Sequence, residues 1–518
     1  MKRPFLVPVF LALSVSVAFA QNVVQSPSTP VAAAKSVPAT AQPPVDPALK
    51  AALQGAPSDD PVVRFYSLRS FAQAWSKDDQ AVLMAAIKDA DRHGLIPKDY
   101  LPSLDGVKDP VQRDIRLTRS ALAYGKALAM GKVDPEKLEP IFTLRRNVVD
   151  VASGLNGALA SAQLDAWLKS LPPQDKGYEG LSDAYLRYRA IAMRGGWPKF
   201  SLGKKIAPGD LDPRVPAIAA RLLAEGDLDH PVGGNVYNDE LVEAMKIFQV
   251  RHGLADDGVI GADSQDELMA TAEDRARMIA TNLERRRWLA RTVAPERIDV
   301  NTAASILVYW RGGQPVHGSR VVNGKSSTPT PSIEAPFTTV LANPPWNVPA
   351  GIAAKEILPK GPGYLAAQDM YVTGGRVVQR PGPKAALGQV KFEMNDPFAI
   401  YLHDTPSKSY FAKYQRHLSH GCVRVENAVE FARLLLAPDP SALAAFDAGL
   451  ASGDTTRISL KREINVRLLY WTAFMTGADR VAFRKDVYKL DDKLGQALGL
   501  GGLSFIPADR TKTNDVGP

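Results

Sequence analysis

Cysteine is almost missing from this chain: one residue, Cys422, in 518. A single thiol rules out an internal disulfide, so the fold rests on its hydrophobic core and not on covalent cross-links. Long apolar runs are also lacking. The one candidate, residues 5–19, falls short of the roughly 20 residues that a membrane helix needs. Neither sign of charge dominates. Lys and Arg total 63 against 55 Asp and Glu, a net +8 spread along the sequence, so composition implies no nucleic-acid partner. What remains is ordinary for a globular protein, with 45% hydrophobic and 23% charged residues, in a length that predicts two to four domains.

Residues 1–20 have a basic start, an apolar middle and an Ala18-Phe19-Ala20 ending, the pattern of a secretory signal peptide cut before Gln21. No cysteine follows that site, so a lipid anchor is not expected; an uncleaved membrane anchor is the alternative. Residues 21–50, rich in Pro, Ala and Ser, read as a disordered linker. Export also gives the lone thiol a meaning, because an unpaired cysteine outside the cytoplasm is an oxidation risk kept for a reason.

Residues 61–200 carry helical periodicity. AVLMAAIKDADRHGL places Leu83, Ala86, Ile87 and Ala90 on one face, and RDIRLTRSALAYGKALAM does the same with Leu117, Ala121, Tyr124 and Leu128. Residues 210–270 predict a small three-helix unit, in which ELVEAMKIFQVRHGL buries Leu241, Ala244, Met245 and Phe248, and His252 serves the helix end. EDRARMIATNLERRRWLAR follows, read as an amphipathic connecting helix whose Arg285, Arg286 and Arg287 form a solvated basic face. From Arg297 the period changes to two. RIDVN, SILVYW and HGSRVVNG read as strands, residues 350–389 as a Gly/Pro-rich insertion, VKFEM and FAIYLH as strands again, and residues 496–518 as a loose tail.

The chemistry concentrates in YLHDTPSKSYFAKYQRHLSHGCVR, residues 401–424. A thiol needs a base within hydrogen-bond reach to act as a nucleophile. In the alternating run FAIYLH, Phe398, Ile400 and Leu402 share one face, Tyr401 and His403 the other. A loop returning Ser419-His420-Gly421-Cys422 beside that strand would bring His403 to the thiol. Gly421 frees the backbone beside the sulfur, so the amides of Gly421 and Cys422 are candidate oxyanion donors. Asn427 and Glu430 would cap the helix that follows. Two other readings stand beside this one: a buried cysteine acting as a small hydrophobe, and a zinc site built from His403, His417, His420 and Cys422, although their spacing matches no common ligand pattern.

HDTP followed by SHGCVR resembles the signature of the L,D-transpeptidases with a YkuD-type catalytic domain. HGLIPKDY, GKVDP and YLRYRAIAMRGGW resemble the scaffold domain of the large Gram-negative, YcbB-type members. FQVRHGLADDGVIG resembles the PG_binding_1 peptidoglycan-binding module, with Ser264 where that family usually has Thr. The resemblance implies a multidomain α+β protein: scaffold (61–200), peptidoglycan-binding-like module (210–270), and a mainly β catalytic domain (297–495) with a capping insertion at 350–389.

It further implies a periplasmic enzyme that forms 3→3 cross-links in peptidoglycan through a Cys422 acyl-enzyme on tetrapeptide stems. His403 would be the proton acceptor and donor, the Asp404 carbonyl its orienter, and Gly421 an oxyanion amide. Tyr401, Ser419, His420 and Arg424 would form the stem-binding site, Ser419 and His420 by shaping the turn and pocket; for Arg424, gripping a stem carboxylate and an internal ion pair that fixes the loop are both open. No metal or organic cofactor is implied; the partners are stem peptides and glycan, with peptidoglycan synthases as protein partners. An L,D-carboxypeptidase, with water as acceptor, and a non-catalytic wall-binding protein are the alternatives.

Overall fold

The computed structural model describes residues 45–477 and 480–504. The expected leader, most of the linker and residues 505–518 lie outside the described residues. No helix among the described residues is long and apolar enough to cross a membrane.

The first layer is helical because its helices are both capped and amphipathic. Pro61–Leu68, Lys77–Lys88, Pro110–Met130, Val151–Ala160 and Lys176–Met193 each begin behind an Asp or Ser whose side chain accepts a first-turn backbone N–H. Four of them bury Phe65, Tyr66, Leu83, Ile87, Leu117, Tyr124 and Leu155 in one core. A short helix, Pro47–Ala52, already starts within the stretch expected to be linker, with Asp46 as its cap and Leu49 buried. Three further helices, Val215–Glu225, Asp239–Arg251 and Ala262–Met269, enclose Ile206, Leu222, Leu241, Met245 and Phe248. His252 ends the second of these, its Nδ1 2.7 Å from the Phe248 carbonyl.

The charged helix Ala272–Trp288 corrects the reading of a solvated connector. It is buried on nearly every side, with Asp274, Arg275, Asn282, Glu284, Arg285 and Arg287 all inside. Its charges are matched both locally and from distant sequence: Arg287 on Glu284 of the same helix at 2.5 Å and Arg275 on nearby Glu267 at 2.5 Å, Arg285 on Asp491 at 2.5 Å and Arg287 on the Tyr178 hydroxyl at 2.9 Å. Of the three arginines expected on a basic face, only Arg286 pairs with an exposed carboxylate, that of Asp175. Helical periodicity reports which residues share a face; it does not report that a second charged layer will cover the polar one.

The strands are β1 (Arg297–Asn301), β2 (Ile306–Arg311), β3 (Gln314–Gly324), β4 (Glu334–Ala342), β5 (Trp346–Asn347), β6 (Met370–Thr373), β7 (Arg376–Gln379), β8 (Val390–Met394), β9 (Leu402–His403), β10 (His417–Ser419), β11 (Val423–Val425), β12 (Thr456–Leu469), β13 (Ala473–Met475) and β14 (Val481–Phe483). Nine form one sheet in the order β10-β3-β11-β9-β8-β4-β12-β1-β2. β3 pairs with β2 along its first half and with β11 and β10 along its second, so the sheet closes on itself. Its apolar face packs Val340, Val390, Phe392, Leu402, Val423 and Val466 against the helix Ala428–Leu436.

That helix lacks the expected cap: Asn427 sits at φ +50 and makes no side-chain cap bond. The proposed strand FAIYLH is paired only at Leu402 and His403, because Ala399 turns into the left-handed region at φ +57 and Phe398 is left exposed. The insertion is a small subdomain of its own. β5, β7 and β6 form a three-stranded sheet, and Trp346, Val348, Ile357, Met370, Val377 and Leu387 form a separate core, against which Tyr401 packs. The tail expected from Gln496 begins inside a helix, Leu490–Leu498, which buries Leu494 and Leu498.

Candidate active site

Register places the chemistry. β11 runs parallel to β9 with Arg424 beside His403, and the Val423 amide donates to the Tyr401 carbonyl at 3.1 Å. Side chains alternate along a strand. Leu402 and Val423 therefore enter the core, while Tyr401, His403, Cys422 and Arg424 share the opposite face. Lys391 of β8, paired with His403, joins them there. The turn that delivers Cys422 is fixed by Ser419, whose hydroxyl donates to the Cys422 carbonyl at 2.6 Å and accepts the Gly421 amide at 3.1 Å. Gly421 has φ +125, a region that disfavours any side chain. The Thr328 and Thr330 hydroxyls donate to the Ser419 and Gly421 carbonyls at 3.2 and 2.8 Å. Their TPTP segment braces the turn from outside.

His403 is fully buried. Its Nδ1 lies 2.5 Å from the Asp404 carbonyl and donates to it, which leaves Nε2 as the acceptor; that atom is buried and makes no hydrogen bond. The Asp404 carboxylate accepts the Gln389 amide at 2.9 Å and pairs with Lys408. Gly388 must be glycine here, since an added Cβ would stand 2.3 Å from Asp404 Oδ2. Burial holds the imidazole well below the usual histidine range, and the Arg424 and Lys391 charges push the same way. The Cys422 thiol is 7% exposed and donates to the Ala399 carbonyl at 3.8 Å. Burial pushes it up to about 11; the Tyr401 amide and hydroxyl and the Lys391 charge pull it partly back. Tyr401 is itself pushed up by burial and so stays a neutral donor, with the Trp346 indole facing its hydroxyl. Both groups are neutral at rest.

The structure divides the remaining sequence candidates. Ser419, expected in the stem-binding site, is fully buried and its hydroxyl is spent on the turn. The Gly421 amide, expected as an oxyanion donor, is already given to Ser419. Arg424 is 1% exposed, a buried neighbour of His403 away from the open cleft. His420 faces the insertion, with Nε2 2.8 Å from Glu356 Oε1 and 3.2 Å from Lys325 Nζ. His417 lies elsewhere, 2.9 Å from the Thr302 carbonyl. Among the described residues no three His, Cys, Asp or Glu side chains converge as metal ligands. Tyr401 and Ala399, the two residues the sulfur touches, line a cleft of 480 Å³ with Trp346, Asn347, Lys391, Glu393 and Arg457. Sequence reasoning missed Lys391, Glu393 and Arg457; the alternation in VKFEM was the available signal for the first two.

Residues 295–455 match the YkuD family, the L,D-transpeptidase catalytic domain, and residues 60–185 match a scaffold domain. A Haemophilus influenzae protein named provisionally as an L,D-transpeptidase is 32% identical over 224 residues, 39% of this chain and 45% of that one, so the chain spans under half the length of this curated relative. Similar solved structures include L,D-transpeptidases from Mycobacterium smegmatis (14% identity, 34% of this chain and 60% of that one, TM-score 0.20) and Xylanimonas cellulosilytica (16%, 52% and 98%, TM-score 0.18). The chain carries the YkuD L,D-transpeptidase catalytic domain, with a scaffold domain ahead of it.

Proposed function

We propose that the protein is an exported peptidoglycan L,D-transpeptidase that makes 3→3 cross-links. One observation carries the reading: an imidazole whose tautomer is set by the Asp404 carbonyl, with Nε2 left unbonded, stands on the same sheet face as the only thiol, one strand away. Cys422 attacks the carbonyl that joins the third residue of a tetrapeptide stem, a diamino acid, to its terminal D-Ala. His403 Nε2 takes the thiol proton as the C–S bond forms and returns it to the departing D-Ala amine, leaving a thioester. The side-chain amine of a third residue on a second stem then attacks that thioester, gives its proton to His403, and restores the thiol. Because both groups rest neutral, the proton moves during attack and no preformed thiolate is needed. The Cys422 amide and the Tyr401 hydroxyl are the donors we assign to the oxyanion, since the Gly421 amide is engaged. The helices of residues 210–270 would hold the glycan.

The test is mass analysis of the products after incubation with tetrapeptide stems. Release of D-Ala with a 3→3 linked dimer is expected. Release without a dimer, even with acceptor in excess, would make the enzyme an L,D-carboxypeptidase, and no release from a folded protein would overturn the reading.

A further inference from the structure

The cleft beside the sulfur carries charges that the reaction itself does not use. The β-ladder orders them. The register that puts Val423 beside Leu402 sets Cys422 beside Tyr401; that of β8 on β9 continues to Glu393; Glu393 pairs with Thr339, and Thr339 with Ser459. A second row runs from His403 through Lys391 and Leu341 to Arg457. Neighbouring strands lie ~4.8 Å apart, so Glu393 stands about 10 Å from Cys422 along its row. Arg457 reaches back across the sheet to Glu393 at 2.7 Å, and Lys391 meets the same carboxylate at 3.2 Å. All three line the 480 Å³ cleft, roofed by Trp346 and Asn347 of the cap.

These ion pairs are open to water. The side chains of Arg457, Glu393 and Lys391 are 60%, 25% and 21% exposed. Exposed pairs contribute little to stability, so a ligand can part them at small cost. A carboxylate and a guanidinium side by side suit a ligand bearing both charges on one carbon. Resting on the functional reading above, we infer that Glu393 and Arg457 recognise the zwitterionic end of the donor's third residue: Glu393 accepts from its ammonium, and Arg457 donates to its carboxylate. The interval from Cys422 suits a residue whose charges sit at the end of a three-methylene arm, as in 2,6-diaminopimelate. Lys391, its ammonium 4.4 Å from the Tyr401 ring centroid, stays over that ring and fixes the near wall of the cleft. Lysine as third residue has the ammonium and lacks the carboxylate, so Arg457 would be the group that tells the two stems apart.

The experiment compares two donor stems, one with diaminopimelate and one with lysine at position three, by D-Ala release. Wild type is expected to favour diaminopimelate in kcat/KM by about tenfold to a hundredfold, the range for a charge-assisted hydrogen bond. In Arg457→Ala that ratio should fall toward one, and Arg457→Lys should restore part of it. Glu393→Gln should lower kcat/KM for both stems, and circular dichroism checks that each variant is folded. Equal use of the two stems by wild type, or an unchanged ratio in Arg457→Ala, overturns the inference alone. Absence of D-Ala release from either stem by wild type overturns the functional reading and this inference with it.

Discussion

The helix Ala272–Trp288 and the face of β9 and β11 both bury ionisable side chains, and they treat them in opposite ways. In the helix each of the buried arginines has at least one bonded carboxylate, so Arg285 and Arg287 stay charged inside the protein although Arg285 Nε and Nη2 and Arg287 Nε make no hydrogen bond. On the sheet face the burial is as deep but the pairing is incomplete. His403 Nε2 has no partner and the Cys422 thiol meets no charge that outweighs its burial, only Tyr401 and the Ala399 carbonyl, so both shift to their neutral forms. Opposite charges buried together make a scaffold, whereas buried groups without a counter-charge store a proton acceptor and a proton donor where water does not quench them.

Breaking the ion-paired helix should cost most. Arg287→Ala leaves Glu284 buried without its cation, and a loss of about 3–5 kcal/mol is expected, read from the denaturant midpoint; a loss below 1 kcal/mol would place that network outside the structural core. On the sheet face, His403→Ala should slow acylation of Cys422 by at least ~100-fold while circular dichroism is preserved. If His420→Ala were the slow variant instead, the base would be His420.

Two smaller effects sharpen the contrast. The thiolate fraction grows as pH rises through about 11, with Tyr401, Lys391 and Asp396 acting on the sulfur. Alkylation of Cys422 by iodoacetamide should therefore keep accelerating above the ordinary cysteine value of ~8.5. Substrate acylation needs only neutral His403, whose proton affinity is depressed. Its rate should hold as pH falls through ~6.5, where an ordinary histidine protonates, and drop only at lower pH. A rate that halves near pH 6.5 would mean that His403 titrates normally. The smallest change is expected in the cap. Residues 350–389 have their own small core and meet the catalytic turn through Glu356 and His420, so their amides should exchange faster than those of β8 and slow when the cleft is filled. Equal exchange with and without a bound stem would argue against a lid.

The pieces of this protein were legible along the sequence, because local rules write them. Asp, Ser and Pro mark the helix starts, the change from helical to alternating period marks the sheet at Arg297, and SHGC beside HDTP marks the reactive turn. Local pattern also misled, in places through the conformation of the backbone itself and elsewhere through a distant segment. Asn427 looks like a cap by sequence and takes a left-handed conformation instead. The arginines of Ala272–Trp288 look solvated until Asp491, more than 200 residues on, covers Arg285. Gly421 looks like a free amide until Ser419 claims it.

The sequence by itself determined that Cys422 is the one thiol a cysteine mechanism could use, and that His403 lies in the strand segment ahead of it. Only the tertiary structure decided the rest: that Cys422 and His403 rest neutral, and that Glu393 and Arg457 stand on the same face of the sheet. Burial and cross-strand register are properties of many segments at once, and strands distant in sequence, such as β8 and β12, become neighbours only when the sheet is assembled around β4.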